Sequence, residues 1–319
     1  MRLKLIYILL CFLLAFQNAA HAEEINIWQG TTCKKKVELI PYLAPGSHNK
    51  AVIVCPGGSY LWHDMEAEGH AVGKWLQANG ISAFVLHYRT AGFMAFFWHY
   101  RYILRGVRYP DALNDLYQAT LYIKEHARDL GVNPDSVGAM GFSAGGHLVM
   151  SGGEYFYGAA NKHLLNALSS HLPQNNQRGN QTLTTDAQIQ NLKQKLRLAF
   201  IAPIYPVVTM TEPCVHKRSR RALMGDNRNH NKAFRDSLSL ERHVPDDCPP
   251  VFLVNCKDDP IVKYHNSELL DSALTAHGIP HRYIQYQTGG HGFGASDEKG
   301  TEECRQWKGE FLEWLRKLK

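Results

Sequence analysis

Sustained apolar runs are scarce in this chain of 319 residues. The longest, Leu5 to Phe16, is too short to span a bilayer comfortably, and no later stretch is long and apolar enough to cross a membrane. Cysteine pairs at metal-binding spacing are missing: no Cys-x-x-Cys occurs, which argues against a zinc site. A long basic stripe with interleaved aromatics is missing as well, so no nucleic-acid partner is expected. The formal charge of +6 is spread along the chain, apart from one cluster at His216 to Arg221 that reads as a solvated loop. Internal repeats are absent, which excludes a solenoid or propeller.

The short apolar run has a different use. Arg2 and Lys4 precede it and Ala20-His21-Ala22 follows, the order of an export signal with an Ala-x-Ala cleavage site. The expectation is a signal at 1–22 and a mature chain from Glu23, destined for the periplasm or the external medium. Gln17 and Asn18 argue against a retained anchor, so no stable membrane insertion is expected after cleavage. Cys11 lies inside the apolar core with no small residue before it, and no lipoprotein signal is read there. The remaining length suits one large domain, which would bury roughly three quarters of its unfolded surface. In an exported chain an even number of cysteines permits disulfides. Cys55 and Cys256 end apolar strand-like runs and read as buried thiols. Pairing among Cys33, Cys214, Cys248 and Cys304 stays open.

After an N-terminal strand region (24–43), strands and helices alternate. Ala51 to Cys55 is a continuous apolar run, as in a strand buried on both faces. A helix is predicted over Glu66–Asn79, with Gly80 as its stop, then a strand over Ile81–His87. Pro110 opens a long helix whose stripe Leu113, Leu116, Thr120, Ile123, Ala127 and Leu130 recurs at helical spacing. Further strands are predicted at 137–140, 198–204, 251–256 and 282–286, and helices at 264–277 and 302–318. The alternation implies an α/β fold with a mostly parallel sheet covered on both faces, and a site at the carboxyl ends of its strands. Two insertions interrupt it. One, 93–109, is aromatic and basic and suits either an apolar flap or a wall of a substrate cleft. The other, 155–195, is polar and reads as a surface excursion with a helix near Ala187 to Leu196.

Gly141-Phe142-Ser143-Ala144-Gly145 is the most informative segment. It has the form Gly-x-Ser-x-Gly at a strand-to-helix junction. Such a turn exposes the hydroxyl at a helix N-terminus, and flanking glycines relieve the crowding. Serine needs a base to take its proton and a carboxylate to orient that base. His291 follows the last predicted strand with four glycines around it (289, 290, 292 and 294), which let its loop arch back over the sheet edge. Asp258 and Asp259 both follow the preceding strand; Asp259 is preferred because Pro260 restricts the pose of the residue before it. The order serine, aspartate, histidine is that of the α/β-hydrolase architecture. The loop Pro56-Gly57-Gly58-Ser59-Tyr60 can bring backbone amides close to a substrate. Gly58 and Ser59, with Ala144, are the candidate oxyanion donors.

Together these stretches, with Glu68-Gly69, Tyr88-Arg89, Ala202 to Pro206 and Asn266-Ser267, resemble α/β-hydrolase serine esterases of the branch related to acetylxylan esterases and hormone-sensitive-lipase-like enzymes. The resemblance spans most of the mature chain. It implies Ser143 as nucleophile, Asp259 as acid and His291 as base, an oxyanion hole at 57–59, and no metal or organic cofactor. It also implies a short-chain, most plausibly acetyl, ester substrate on carbohydrate such as acetylated xylan or its oligosaccharides. Ser59 departs from the third glycine that many relatives carry, and the two insertions are longer than in compact relatives. A peptidase or lipase of the same fold, or a carbohydrate-binding protein that kept the fold without catalysis, are the rival readings. Acyl length, sugar and oligomeric state are not legible.

Overall fold

The structure is a computed structural model that describes residues 24–31, 33, 35–46, 49–92, 107–157 and 186–318. The expected signal at 1–22 lies outside the described residues, as do 93–106 of the first insertion and 158–185 of the second.

One eight-stranded sheet organises the chain. Its strands are β1 (Ile25–Asn26), β2 (Glu38–Tyr42), β3 (Asn49–Cys55), β4 (Ser82–His87), β5 (Val132–Phe142), β6 (Ile201–Ile204), β7 (Val251–Cys256) and β8 (His281–Tyr286). They lie in the order β1-β2-β4-β3-β5-β6-β7-β8. Only β1 and β2 run antiparallel to their neighbours; the other pairings are parallel. The mostly parallel sheet is the one expected from the alternation, and the fold is the α/β-hydrolase fold that the resemblance implies.

The strands read as apolar runs because both faces are covered. In β3, Ala51 and Ile53 face one core, where α2 (Asp111–Glu125) and α3 (Ala144–Tyr157) supply Leu113, Leu116, Leu148 and Val149. Val52 and Val54 face the other, with Val72 and Leu76 of α1 (Ala71–Ala78) and Trp307 and Phe311 of the C-terminal helix. Burying a side chain such as Phe311 contributes roughly 1.5–3 kcal/mol. Parallel strands with helices on both faces place every crossover's return loop at one edge, where the carboxyl ends of β3, β5, β6, β7 and β8 gather.

Several boundaries differ from expectation for local reasons. The helix predicted over 66–79 begins with a π-helical turn, Met65–His70, that runs into α1. Asp64 caps it by accepting from the amide of Ala67 at 3.1 Å. The helix predicted over 302–318 is two segments, α6 (Glu302–Arg305) and α7 (Trp307–Lys317). The helix near 187–196 is present as α4 (Asp186–Leu196).

The cluster at 216–221 is not a solvated loop. It forms α5 (Lys217–Met224), in which Ser219 and Arg220 are buried. The Arg220 guanidinium donates to the Met210 carbonyl at 3.1 Å and to Asn229 at 2.8 Å, and Arg221 pairs with Asp226 at 2.6 Å. Their cations have partners within the fold, so they need not face water. A half-buried cation fixes the first described strand segment. Arg89 binds Asp115 at 2.7 Å, and the same carboxylate accepts from the Trp28 indole at 2.7 Å and the Arg89 amide at 2.8 Å. One acid thereby ties the N-terminal segment, the end of β4 and α2 together.

Candidate active site

The sharp turn after β5 carries Ser143. Its φ is 54°, in the left-handed region, and its residue surface is 4% exposed. Two interactions hold the turn: the Ser143 amide donates to the Ile204 carbonyl at 3.0 Å, and its carbonyl accepts from Val207 at 3.1 Å. The flanking glycines are sterically required. A Cβ on Gly145 would stand 2.0 Å from the Cys55 carbonyl oxygen, and one on Gly141 would stand 2.1 Å from that of Gly145. α3 can start against the end of β3 only because these side chains are absent.

His291 reaches this turn from the loop after β8. Its Nε2 lies 2.9 Å from Ser143 Oγ, and its Nδ1 lies 2.6 Å from Asp259 Oδ2. The Asp259 side chain is 1% exposed and that of His291 12%. Asp259 Oδ1 accepts from the amides of Ile261 and Val262 at 2.8 and 2.9 Å, so both carboxylate oxygens are engaged. Asp258 has another task. It accepts from the amides of Gly289 at 3.2 Å and Gly290 at 2.8 Å, which fixes the entry of the histidine loop. The preference for Asp259 as the residue facing the imidazole thus agrees with the geometry. Among the described residues no group of three or more His, Cys, Asp or Glu is placed to hold a metal ion.

The glycine loop after β3 lies beside Ser143. Gly58 has φ 134°, and a Cβ there would stand 2.0 Å from the Trp62 carbonyl oxygen. Ser59 and Tyr60 follow in the left-handed region at φ 60° and 61°. Ser59 therefore adopts, at a cost, a conformation natural to glycine. Among the described residues none accepts a hydrogen bond from the amides of Gly58, Ser59 or Ala144. Three anchors fix the loop. Tyr88 donates to the Pro56 carbonyl at 2.7 Å, the Gly57 amide donates to Glu68 at 2.6 Å, and Tyr60 binds His147 Nδ1 at 2.9 Å. His147 Nε2 donates to the Leu238 carbonyl at 3.0 Å, so Nδ1 accepts from Tyr60. Burial lowers the pKa of His147 to about 4 and keeps the ring neutral.

Sequence reasoning gave no role to these anchors, although Glu68, Tyr88 and His147 stood in the matching stretches. It also passed over His216. That residue binds Ser219 at 2.8 Å, and its pKa is lowered to about 4 by burial first and then by the charge of nearby His291. All six described cysteines are free thiols. Cys304 packs its sulfur against that of Cys256 beneath Gly289, a contact that the open set Cys33, Cys214, Cys248 and Cys304 did not include.

Comparison with known proteins finds esterase-like relatives. The chain is 27% identical over 281 residues to endo-1,4-beta-xylanase B of Butyrivibrio fibrisolvens, and 24% over 261 residues to an acetylxylan esterase of Xylanibacter ruminicola. These matches cover 86% and 81% of the chain but only 38% and 44% of the relatives, so the chain spans less than half the length of either. Among solved structures it is similar to an acetyl ester-xyloside bifunctional hydrolase from Caldicellulosiruptor lactoaceticus. The TM-score is 0.73 at 26% identity, with 93% of this chain and 96% of that one covered. A carboxylesterase from Lactobacillus plantarum, at 19% identity and a TM-score of 0.64 over 92% of this chain and 95% of that one, shares the fold. The BD-FAE family matches residues 42–274, and the chain belongs to that family.

Proposed function

We propose that this protein is a serine esterase that removes short acyl groups, acetyl foremost, from carbohydrate such as acetylated xylan or its oligosaccharides. The observation that carries the proposal is the hydrogen-bonded series Ser143–His291–Asp259 beside amides that have no described acceptor. The names of the relatives in B. fibrisolvens, X. ruminicola and C. lactoaceticus support a carbohydrate ester as substrate. Export, as the N-terminal signal suggests, would bring the enzyme to such polymers.

In this reading Ser143 Oγ attacks the ester carbonyl carbon while its proton passes to His291 Nε2. Asp259 holds the Nδ1 proton, which leaves Nε2 free to accept, and its charge stabilises the imidazolium. The carbonyl oxygen becomes negative and accepts from the amides of Gly58, Ser59 and Ala144. Losing one such donor costs about 10²–10³ in kcat. His291 returns the proton to the sugar oxygen, the C–O bond breaks, and the acyl group stays on Ser143. Water then attacks the acyl-enzyme with His291 as base, and acetate leaves. No step calls for a cofactor.

The test uses an active-site-directed fluorophosphonate and the full chain. The wild type becomes labelled and releases acetate from acetylated xylan and from short aryl esters. In Ser143→Ala labelling is lost and kcat falls by about 10⁶. Hydrolysis of long acyl chains alone would turn the assignment toward a lipase. Absence of labelling in the wild type would favour a protein that only binds carbohydrate.

A further inference from the structure

Glu68 is a carboxylate 2% exposed beside the site, and the hydrolytic steps above give it no task. Its Oε2 accepts from the Gly57 amide at 2.6 Å, and its Oε1 accepts from the Tyr205 hydroxyl at 2.9 Å. That hydroxyl in turn accepts from the amide of Gly294, three residues beyond His291, at 2.9 Å. We propose that Glu68 is a positioning residue that clamps the donor loop and the histidine loop to each other, so that both keep register with Ser143.

The proposal rests on the esterase reading and extends it. An ionised carboxylate can only accept, and both partners here can only donate to it, so the three bonds fix their own directions. Gly57 touches Ser143 as well: a Cβ on it would lie 2.7 Å from Glu68 Oε2 and 2.8 Å from Ser143 Cβ. Any slide of Gly57 therefore moves the amide of Gly58 relative to the nucleophile. The other loop rests on the same helical turn. The Ala295 amide donates to the Ala67 carbonyl at 3.0 Å, next to Glu68 itself. Tyr205 completes the link, with its ring centroid 4.7 Å from that of His291 and 4.6 Å from that of Phe293.

A proton on Glu68 would reverse one arm of the clamp: the Gly57 amide can only donate, so the carboxyl hydrogen falls on the Tyr205 side and that hydroxyl must turn from donor to acceptor, leaving its own hydrogen without this partner. The groups facing this carboxyl are His291, Asp64, Tyr205 and Tyr88. Burial is the largest influence and raises the pKa to about 6; the His291 charge opposes it and Asp64 adds to it. Glu68 therefore titrates as the medium is acidified from neutral. The acid limb of kcat/KM then carries the protonation of the clamp.

The experiment compares wild type, Glu68→Gln, Tyr205→Phe and the double variant on p-nitrophenyl acetate, with active sites counted by fluorophosphonate. A glutamine keeps the shape, but with its oxygen on the Gly57 amide its NH2 turns the Tyr205 hydroxyl from donor to acceptor and replaces a charged bond by a neutral one. Glu68→Gln should lower kcat per labelled site by about tenfold to a hundredfold, less than deletion of an oxyanion donor, with KM within about threefold of wild type. Its acid limb should lose the Glu68 protonation, so log kcat/KM should fall less steeply below about pH 6 than in the wild type. Tyr205→Phe cuts only the histidine-loop arm and should lose less, and the double variant should be no worse than Glu68→Gln, because the effects share one network. Wild-type kcat and an unchanged acid limb in Glu68→Gln would overturn the clamp, as would additive losses in the double variant. Should Glu68→Gln fail to fold by circular dichroism, Tyr205→Phe decides the matter: lower kcat at unchanged KM supports the clamp, and wild-type kcat overturns it. Failure of the esterase reading is a separate result, namely no labelling of the wild-type serine.

Discussion

Replacing Asp259 by asparagine tests the geometry most directly. The side chain keeps its size, so the effect falls on hydrogen-bond direction. Asp259 Oδ1 accepts from the amides of Ile261 and Val262, while Oδ2 faces His291 Nδ1. An asparagine that satisfies the two amides must point its NH2 at the imidazole. His291 Nδ1 then becomes the acceptor, its proton moves to Nε2, and the ring can no longer take the proton of Ser143. In a serine protease the corresponding change costs about 10⁴ in kcat, or about 5.4 kcal/mol of barrier.

One escape exists. A flipped amide restores the correct tautomer but leaves two backbone donors facing an NH2, at about 1–3 kcal/mol each where they are buried. The cheaper route sets the residual rate, so Asp259→Asn should lose between about 10² and 10⁴ in kcat. Asp258→Asn is the control. It keeps one acceptor for the amides of Gly289 and Gly290 and should lose less than about tenfold. The assay is p-nitrophenyl acetate hydrolysis at pH 7.5, normalised to folded protein. A loss below tenfold in Asp259→Asn, or a larger loss in Asp258→Asn, would refute the reasoning.

Three further outcomes follow from the structure. Gly145→Ala places a methyl 2.0 Å from the Cys55 carbonyl oxygen, a backbone atom of β3, and should cost about 3 kcal/mol in urea unfolding; a cost below 1 kcal/mol would contradict the close approach. Asp115→Ala removes one of the two carboxylates that hold half-buried Arg89, leaving Asp111 at 3.1 Å, and strips the Trp28 indole of its acceptor; it should cost about 1–3 kcal/mol, also read by urea. His147 has its folded pKa lowered to about 4 from 6.5, so the unfolded chain binds more protons between those values. Its contribution is complete above pH 6.5 and falls by about 2 kcal/mol by pH 5. Glu68, raised to about 6 from 4.5, acts the other way over a narrower range. The urea midpoint should therefore drop further from pH 7.5 to pH 5 in the wild type than in His147→Gln, and an equal drop in both would refute the assignment of a neutral, buried His147.

Much of this was legible in the sequence wherever one chemical demand dominated a position. The run Ala51 to Cys55 could only be a strand covered on both faces, and the glycines around Ser143 had a steric reason that the close contacts of Gly141 and Gly145 confirm. Asp259 was separable from Asp258 because proline stiffens what precedes it. The unread parts depend on contacts between distant segments. Nothing in the sequence near Glu68 says that its carboxylate reaches Gly57 on one side and Tyr205 on the other. The run His216 to Arg221 looked solvated because charge usually is; the carbonyl of Met210 and the side chain of Asn229, which satisfy Arg220, come from segments that local pattern cannot bring together.

The backbone itself points to the same rim. Four described non-glycine residues have positive φ: Ser59, Tyr60, Ser143 and Tyr205. All four stand at the carboxyl edge of the sheet, in the donor loop, at the serine turn and at the end of β6. Each costs about 1–3 kcal/mol and persists only where its surroundings over-determine it. The surroundings here are specific: Tyr60 is held by His147, Ser143 by Ile204 and Val207, and Tyr205 by Val254 through its amide and by Glu68 through its hydroxyl. A fold selected only for stability would have put glycine at these positions or avoided the turns. Their clustering puts the backbone strain where the proposed reaction needs amides, hydroxyl and imidazole in fixed mutual positions, as charge stabilisation without reorganisation demands.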